Sequence, residues 1–489
     1  MSSAEATQLV SRAKGAGATD ALVGFVHDLH CEALSEEVRH FAKRHLLDTV
    51  GVMIAGAGGE VANRAEAMLA SVRGAGSIVV PGRARRADLL DAAFLGGTAA
   101  HGIELDDGYR QGSVHPGCAV VPTTLALAQA RTTTNGKGLI EAVVAGYETV
   151  TAIAAACHPE LRQRGFHPTG AVALLGAAMA AGKLCSHSKR TLADALGLAA
   201  SSASGLFAFV NGGGDIKRLH AGHAAREGLQ AALLAERGVE GPPAVIEARD
   251  GFLQAFAFGS ARRAHDLALP PAVPFGITDC YIKPYPCCRH IQPAVEALVG
   301  LLEENSIATE EVSQIAVETY RIAAAHAQTG WDDFAGAQLS FPYLIALALK
   351  FRAIRLEHFG TDCRRNAELA TLARRLTVTA PPAIDALYPR LRPARVTVTT
   401  SRGTFTRQAD EALGSRLLPL DDKGLEAKFQ DLAAPVLGRV SIFPSGSFCR
   451  RPAGTMLSIA CRTPACLHPV GKFGLGGTWC PNSDASSSF

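Results

Sequence analysis

Aromatic side chains make up only 6% of this 489-residue chain, with 2 Trp and 7 Tyr. That scarcity argues against an aromatic-rich sandwich, and the abundance of Ala and Gly favours helices packed closely through small side chains. A dominant charge is also missing. The 48 Lys and Arg against 45 Asp and Glu leave a net +3, and no Lys/Arg run is interleaved with aromatics, so the composition excludes nucleic acid as a partner. The N-terminus has neither the basic start nor the apolar stretch of a secretory signal, so a cytoplasmic location is expected. Residues 165–182 carry no formal charge but contain His, Pro, Thr and several Gly, which marks a helix buried in protein and gives no membrane span. The 12 cysteines form no repeating framework, and the adjacent Cys287 and Cys288 suit neither an ordinary disulfide nor a C-x-x-C redox pair. Reduced thiols are the expectation. Gly212–Gly214 precede Asp215 and Lys217 without the spacing of a phosphate loop.

Length and periodicity describe what is there. A chain of 489 residues exceeds what one core usually holds, which predicts two domains. Residues 21–270 read as almost continuous helix, with apolar faces over Glu36–Ala55 and Ala224–Arg237 and all-round apolar runs over 170–184 and 192–210. Ser77–Pro81 is the clearest strand-like run there. A Pro-rich break near 270 precedes a different pattern. Val312–Tyr320, Ala394–Thr400 and Arg402–Thr406 alternate as strands, the last two around a turn at Ser401–Gly403, and helices Pro293–Glu304 and Phe341–Lys350 lie among them. The expected fold class is therefore mainly α with a smaller α+β domain: a helical domain over 1–270, an α+β lid over 271–407, and a helix in 408–438 that returns to the first domain. Residues 439–489 hold four cysteines with many Ser, Gly and Pro and no helical period, which predicts a disordered or aberrant extension.

Against this apolar background, residues 101–117 (HGIELDDGYRQGSVHPG) concentrate titratable groups. His101, Glu104, Asp106, Asp107 and His115 are ligand types for a metal, but H-E-x-x-H and the other common spacings are absent. Acid–base chemistry is the other reading. Polar interruptions beside apolar helices recur in GFHPTG, NGGGDIKRLH, YIKPYPCCRH and AQLSFPY. They supply His167, Lys217, Arg218, His220, Lys283, Arg289, His290 and Tyr343. If these side chains converge, the site is cationic and suits a small di- or tricarboxylate, with Arg218, Arg289 and His290 among the groups that bind it. Moving a proton at carbon beside a carboxylate builds an enolate-like anion, which ammonium groups stabilise while a histidine carries the proton. Taken singly, each residue has a duller reading: a hydrogen-bonded core histidine, a solvated helix start, a core tyrosine.

In this order, HGIELDDGYRQGSVHPG, GFHPTG, GGGDIKRLHAGHAAREG, YIKPYPCCRH and LSFPY resemble the motifs of the MmgE/PrpD family, from about residue 20 to about 437. The resemblance implies a helical domain, an α+β lid, a site in the cleft between them, a homodimer, and no required metal or organic cofactor. It places the family's acidic position on Glu104, its histidines on His115 and His167, its lysines on Lys217 and Lys283, and its lid tyrosine on Tyr343. The implied activity is a lyase, a dehydratase or decarboxylase of a small polycarboxylate. An epimerase of an iminodisuccinate-like substrate and a catalytically silent carboxylate-binding relative are the alternatives. The chain departs from the family pattern at Glu104, where lyases often carry Asp, and at Gly108, where they often carry Thr. The loop between Glu104 and His115 is one residue longer than in the decarboxylases. After His115-Pro116 the chain has Gly117-Cys118-Ala119 in place of the dehydratases' Ser-Asp-Asn.

Overall fold

The computed structural model describes residues 17–131, 134–211, 215–257, 267–269 and 274–438. The N-terminal segment before 17, the glycines 212–214, part of the Pro-rich break and the tail from 439 lie outside the described residues. Expectations about them therefore have no structural counterpart.

The larger core is built from helices α1 (Ala18–Asp28), α2 (Glu36–Gly56), α3 (Glu60–Val72), α4 (Leu89–Ala100), α5 (Gly117–Ala130), α6 (Gly136–Cys157), α7 (Pro168–Leu184), α8 (Lys189–Ser201) and α9 (Asp215–Glu236). Their starts follow local chemistry. Ser35 accepts from the Val38 N–H ahead of Glu36 and Glu37, and Asn135 and Ser188 cap α6 and α8 in the same way. α7 lies against α6 and α9, and α4 against α5 and α9. Small residues permit these contacts: a Cβ on Gly228 of α9 would stand 2.4 Å from the Leu174 carbonyl oxygen of α7. α6 is the one described helix long and apolar enough to cross a membrane, and 83% of its apolar window is buried inside the protein, as expected of a core helix.

The smaller core surrounds a four-stranded sheet with order β2-β1-β3-β4: β1 (Val312–Thr319), β2 (Leu376–Thr379), β3 (Ala394–Thr400) and β4 (Gly403–Ala409). β1 pairs in parallel with β2 and antiparallel with β3, with Ile315 opposite Val398 and Val317 opposite Val396. Ala394, Val396 and Val398 alternate inward along β3. They pack with helices α10 (Gln292–Glu304) and α11 (Phe341–Phe351). The chain then returns. In α12 (Asp422–Leu437), Leu425, Phe429, Ala433 and Leu437 join the larger core against α2. Val52, Ile103, Leu105 and Leu432 form a separate apolar seam with Phe334 and Leu356 packed on it, where the two bodies meet. Gln338 reinforces that seam by donating to the carbonyls of Ile103, at 2.8 Å, and Pro286, at 3.0 Å.

Some local expectations change. Ser77–Pro81 forms no strand: Ile78 makes only an isolated bridge to Ala87 before Pro81 and Gly82 turn the chain. The apolar run 192–210 breaks after Ser201 and resumes as a 3-10 turn, Phe207–Asn211. Strand β2, with four residues at the sheet edge, carried too short an alternation to be recognised. The Lys428 ammonium is buried against Asp48 Oδ1 at 2.6 Å and also donates to the Leu105 carbonyl at 3.0 Å. Replacing Lys428 by Met strands the Asp48 carboxylate and should cost about 3–5 kcal/mol. The double replacement Asp48→Leu with Lys428→Met should recover most of that loss, measured by urea denaturation of both variants.

Candidate active site

Helix ends converge to build the site. α4 stops at His101, and the loop 102–116 then carries Glu104, Asp106 and Asp107 before α5 begins. His115 stands just ahead of α5, and His167 is the residue before Pro168 opens α7. Lys217, Arg218 and His220 lie in the first turns of α9. His115 N–H donates to Thr169 Oγ1 at 3.2 Å, which ties the two histidine-bearing helix starts together. Glu104 has φ 57°, in the left-handed region that a side chain rarely occupies, and this backbone state belongs to the loop that turns its carboxylate toward the lysines.

Asp107 is the anchor of the loop. Its Oδ1 accepts from the Gly117 N–H at the start of α5 at 3.0 Å, and its Oδ2 accepts from the Tyr147 hydroxyl at 2.6 Å. The same Oδ2 lies 2.9 Å from His45 Nδ1. One buried carboxylate thus joins α2, α5 and α6, and its negative charge is favoured at a helix N-terminus.

Asp106 supplies the electrostatics. Its Oδ2 is 2.6 Å from His101 Nδ1 and 3.2 Å from His115 Nδ1. His115 Nδ1 also donates to the Asp107 carbonyl. Burial opposes the Asp106 charge, but His115 and then His101 hold its carboxyl well below the usual range. Burial likewise opposes a charged His115, yet Asp106 and then Tyr281 raise it to about 9. The neighbouring rings go the other way. Burial, despite Asp106, lowers His101 to about 4, and burial with the adjacent imidazoles lowers His220 to about 4 and His167 well below the ordinary histidine value. At neutral pH the cluster therefore holds one imidazolium, His115, beside neutral rings. The rings are contiguous: His101 and His167 stack with centroids 5.6 Å apart, and His167 Nδ1 meets His220 Nδ1 at 3.0 Å.

The lysines sit on the other side of Asp106. Lys283 Nζ lies 3.9 Å from Asp106 Oδ1 and 3.2 Å from Glu104 Oε2, and Lys217 Nζ pairs with Glu104 Oε1. Burial first, then repulsion from Lys283 and Arg218, pushes Lys217 well below the usual lysine range. Two lysine Nζ groups converging on one carboxylate form the arrangement that a substrate carboxylate would use. His101, Asp106 and His115 also place one ligand atom each within 4.8 Å of one another, close enough to consider a metal. Their chemistry fits a proton better, because both Nδ1 atoms already face Asp106 and buried ammonium charge stands next to it.

The structure brings together Glu104, His115, His167, Lys217 and Lys283. The other candidates direct their polar groups to different partners. Tyr343 lies in the smaller core, its hydroxyl donating to the His358 carbonyl at 2.5 Å and its ring beside Trp331 and Phe359. The reason is the period of α11, whose inward face includes Tyr343. Arg289 spends its guanidinium on the Leu413 and Ala412 carbonyls, at 2.6 and 2.8 Å, bracing the return segment. His290 Nδ1 meets the Tyr320 hydroxyl at 2.6 Å. Arg218 adjoins Lys217 but donates from Nε to the Gly102 carbonyl at 3.0 Å. From the sequence, Asp106 and His101 stood out only as ligand types for a metal. Their spacing of five residues was visible in the chain.

Comparison with known proteins accords with this architecture. The sequence model of the MmgE/PrpD N-terminal domain matches residues 20–264, and that of the MmgE/PrpD C-terminal domain matches residues 285–442. The chain belongs to the MmgE/PrpD family and is an enzyme of its lyase type. Cis-aconitate decarboxylase of Aspergillus terreus is 27% identical over 451 residues, covering 86% of this chain and 90% of that enzyme. Cis-aconitate decarboxylase of Mus musculus is 26% identical, covering 87% of this chain and 88% of its own, and that of Homo sapiens is 27% identical, covering 86% and 88%.

Electrostatics of this kind sets the pH behaviour. His115 is raised from 6.5 to about 9 in the folded state, so its contribution to stability is complete below pH 6.5 and fades as pH climbs through about 9. His101, lowered from 6.5 to about 4, acts oppositely, and stability should fall as pH drops from 6.5 toward 4. Asp106→Asn removes the carboxylate, so histidine NMR titration should find His115 at or below 6.5. A His115 still titrating near 9 in that variant would rule out Asp106 as the cause.

Proposed function

We propose that this protein is a decarboxylase of a small unsaturated tricarboxylate of the cis-aconitate type. One observation carries the reading: an imidazolium, His115, held by Asp106 beside two lysines, the buried Lys283 and the partly exposed Lys217, that converge on a carboxylate. The similarity to cis-aconitate decarboxylases supports it.

The lysines take substrate carboxylates, displacing Glu104 from one or both ammonium groups. The carbon–carbon bond to the departing carboxylate breaks, releasing CO2. The electron pair left behind spreads onto the remaining conjugated carboxylate, and the ammonium charge stabilises it. His115 donates its proton to carbon and is reprotonated from solvent, so one proton is consumed for each CO2 released. The shifted pKa values support this division of roles: a charged His115 serves as acid, whereas a neutral His167 orients through its ring contacts with His101 and His220. No step needs a metal or an organic cofactor.

Incubation with cis-aconitate, citrate-like acids and iminodisuccinate in deuterated water, followed by NMR, distinguishes the reactions. The expected result is CO2 loss with one deuteron fixed at carbon. Loss of water would make the enzyme a dehydratase, and deuterium exchange with stereochemical scrambling alone would make it an epimerase. His115→Asn should lower kcat by about 10²–10⁴-fold; it also removes the main counter-charge of Asp106, so the melting temperature should fall too, and kcat is read at a temperature where circular dichroism shows the variant folded. Full activity in that variant would refute the assignment. Dialysis against a chelator should leave the rate unaltered, whereas loss of activity restored by metal would overturn the metal-free mechanism.

A further inference from the structure

Gly108 and Tyr281 face each other across an isolated antiparallel bridge: Gly108 N–H donates to the Tyr281 carbonyl at 3.1 Å, and Tyr281 N–H returns a bond to the Gly108 carbonyl at 2.8 Å. A Cβ on Gly108 would stand 2.3 Å from the Tyr281 hydroxyl oxygen and 2.4 Å from Cζ. No side chain fits there without displacing the phenol. The phenol therefore fills the volume that a side chain at position 108 would occupy.

That volume adjoins the reacting groups. Gly108 follows Asp107, whose carbonyl accepts from His115 Nδ1. Arg289 and Arg392 lie 4.9 and 5.8 Å from the centre of the Tyr281 ring, close enough for cation–π attraction to hold it. Tyr281 is half-buried, and among the described residues its hydroxyl makes no hydrogen bond. A phenol with a clamped ring and an unengaged hydroxyl beside an imidazolium is prepared for a ligand.

We propose that Tyr281 is a further substrate-binding residue, whose hydroxyl donates to a carboxylate oxygen of the tricarboxylate next to the carbon that His115 protonates, and that Gly108 determines specificity by leaving room for it. This rests on the decarboxylase reading above. Nothing covalent is asked of Tyr281; it positions the substrate and helps to hold the developing negative charge.

The test uses full-length protein with Tyr281→Phe, Tyr281→Ala, and Tyr281→Ala combined with Gly108→Thr. Tyr281→Phe keeps the ring and should fold normally. Its kcat/KM for cis-aconitate should fall about 10–100-fold, as expected for a lost hydrogen bond to a charged group, mostly through KM. Tyr281→Ala should lose at least as much. The combined variant should recover part of that loss, because the Thr hydroxyl enters the vacated space. A kcat/KM within twofold of wild type for Tyr281→Phe overturns the contact, and so does a combined variant no more active than Tyr281→Ala. Calorimetric binding of citrate separates this proposal from the reaction itself. Equal affinity in wild type and Tyr281→Phe refutes the Tyr281 contact alone. No binding to wild type refutes the tricarboxylate reading as well.

Discussion

The buried carboxylate of Asp106 is the constraint from which the rest of the site follows. It lies within reach of His101 and His115 on one side and Lys283 on the other. Several cationic groups compete for one negative charge in a poorly hydrated place. A second imidazolium there would cost desolvation with no carboxylate left to offset it. His115 therefore keeps a proton while His101, His167 and His220 do without one. One carboxylate thus turns a cluster of like rings into an acid surrounded by neutral neighbours.

Asp107, adjacent in sequence, does different work. By joining the start of α5 to Tyr147 and His45 it fixes the loop backbone, and the loop backbone fixes where Asp106 and Glu104 point. The pair divides the labour: one carboxylate is spent on structure so that the other can be spent on charge. Glu104 completes the arrangement by standing between Lys217 and Lys283. Without substrate, it keeps the head groups of the buried Lys283 and the partly exposed Lys217 from facing each other uncompensated.

Much of the fold was legible from local pattern. The 3.6-residue period of Glu36–Gly56 and the alternation of Val312–Thr319 and Ala394–Thr400 report directly which face is buried. β2 was not, since four edge residues contain too few alternations to stand out. Among the site candidates, the histidines and lysines beside helix starts were legible because charge is conspicuous against an Ala- and Gly-rich background. Tyr343, Arg289 and His290 carry the same chemical types in equally conspicuous motifs. The difference lies in their partners, the His358 carbonyl, the Ala412 and Leu413 carbonyls and the Tyr320 hydroxyl, each distant in sequence from the group it engages.

By itself, the sequence determined the class of fold, the family and the segments that supply the site, because periodicity and the ordered motifs are properties of neighbours along the chain. Only the tertiary structure decided which histidine is charged, which candidates turn into the second core, and that the phenol of Tyr281 occupies the space left by Gly108. The physical reason is common to all three. Burial, the local field and steric exclusion depend on groups far apart in sequence, and no local pattern records those distances.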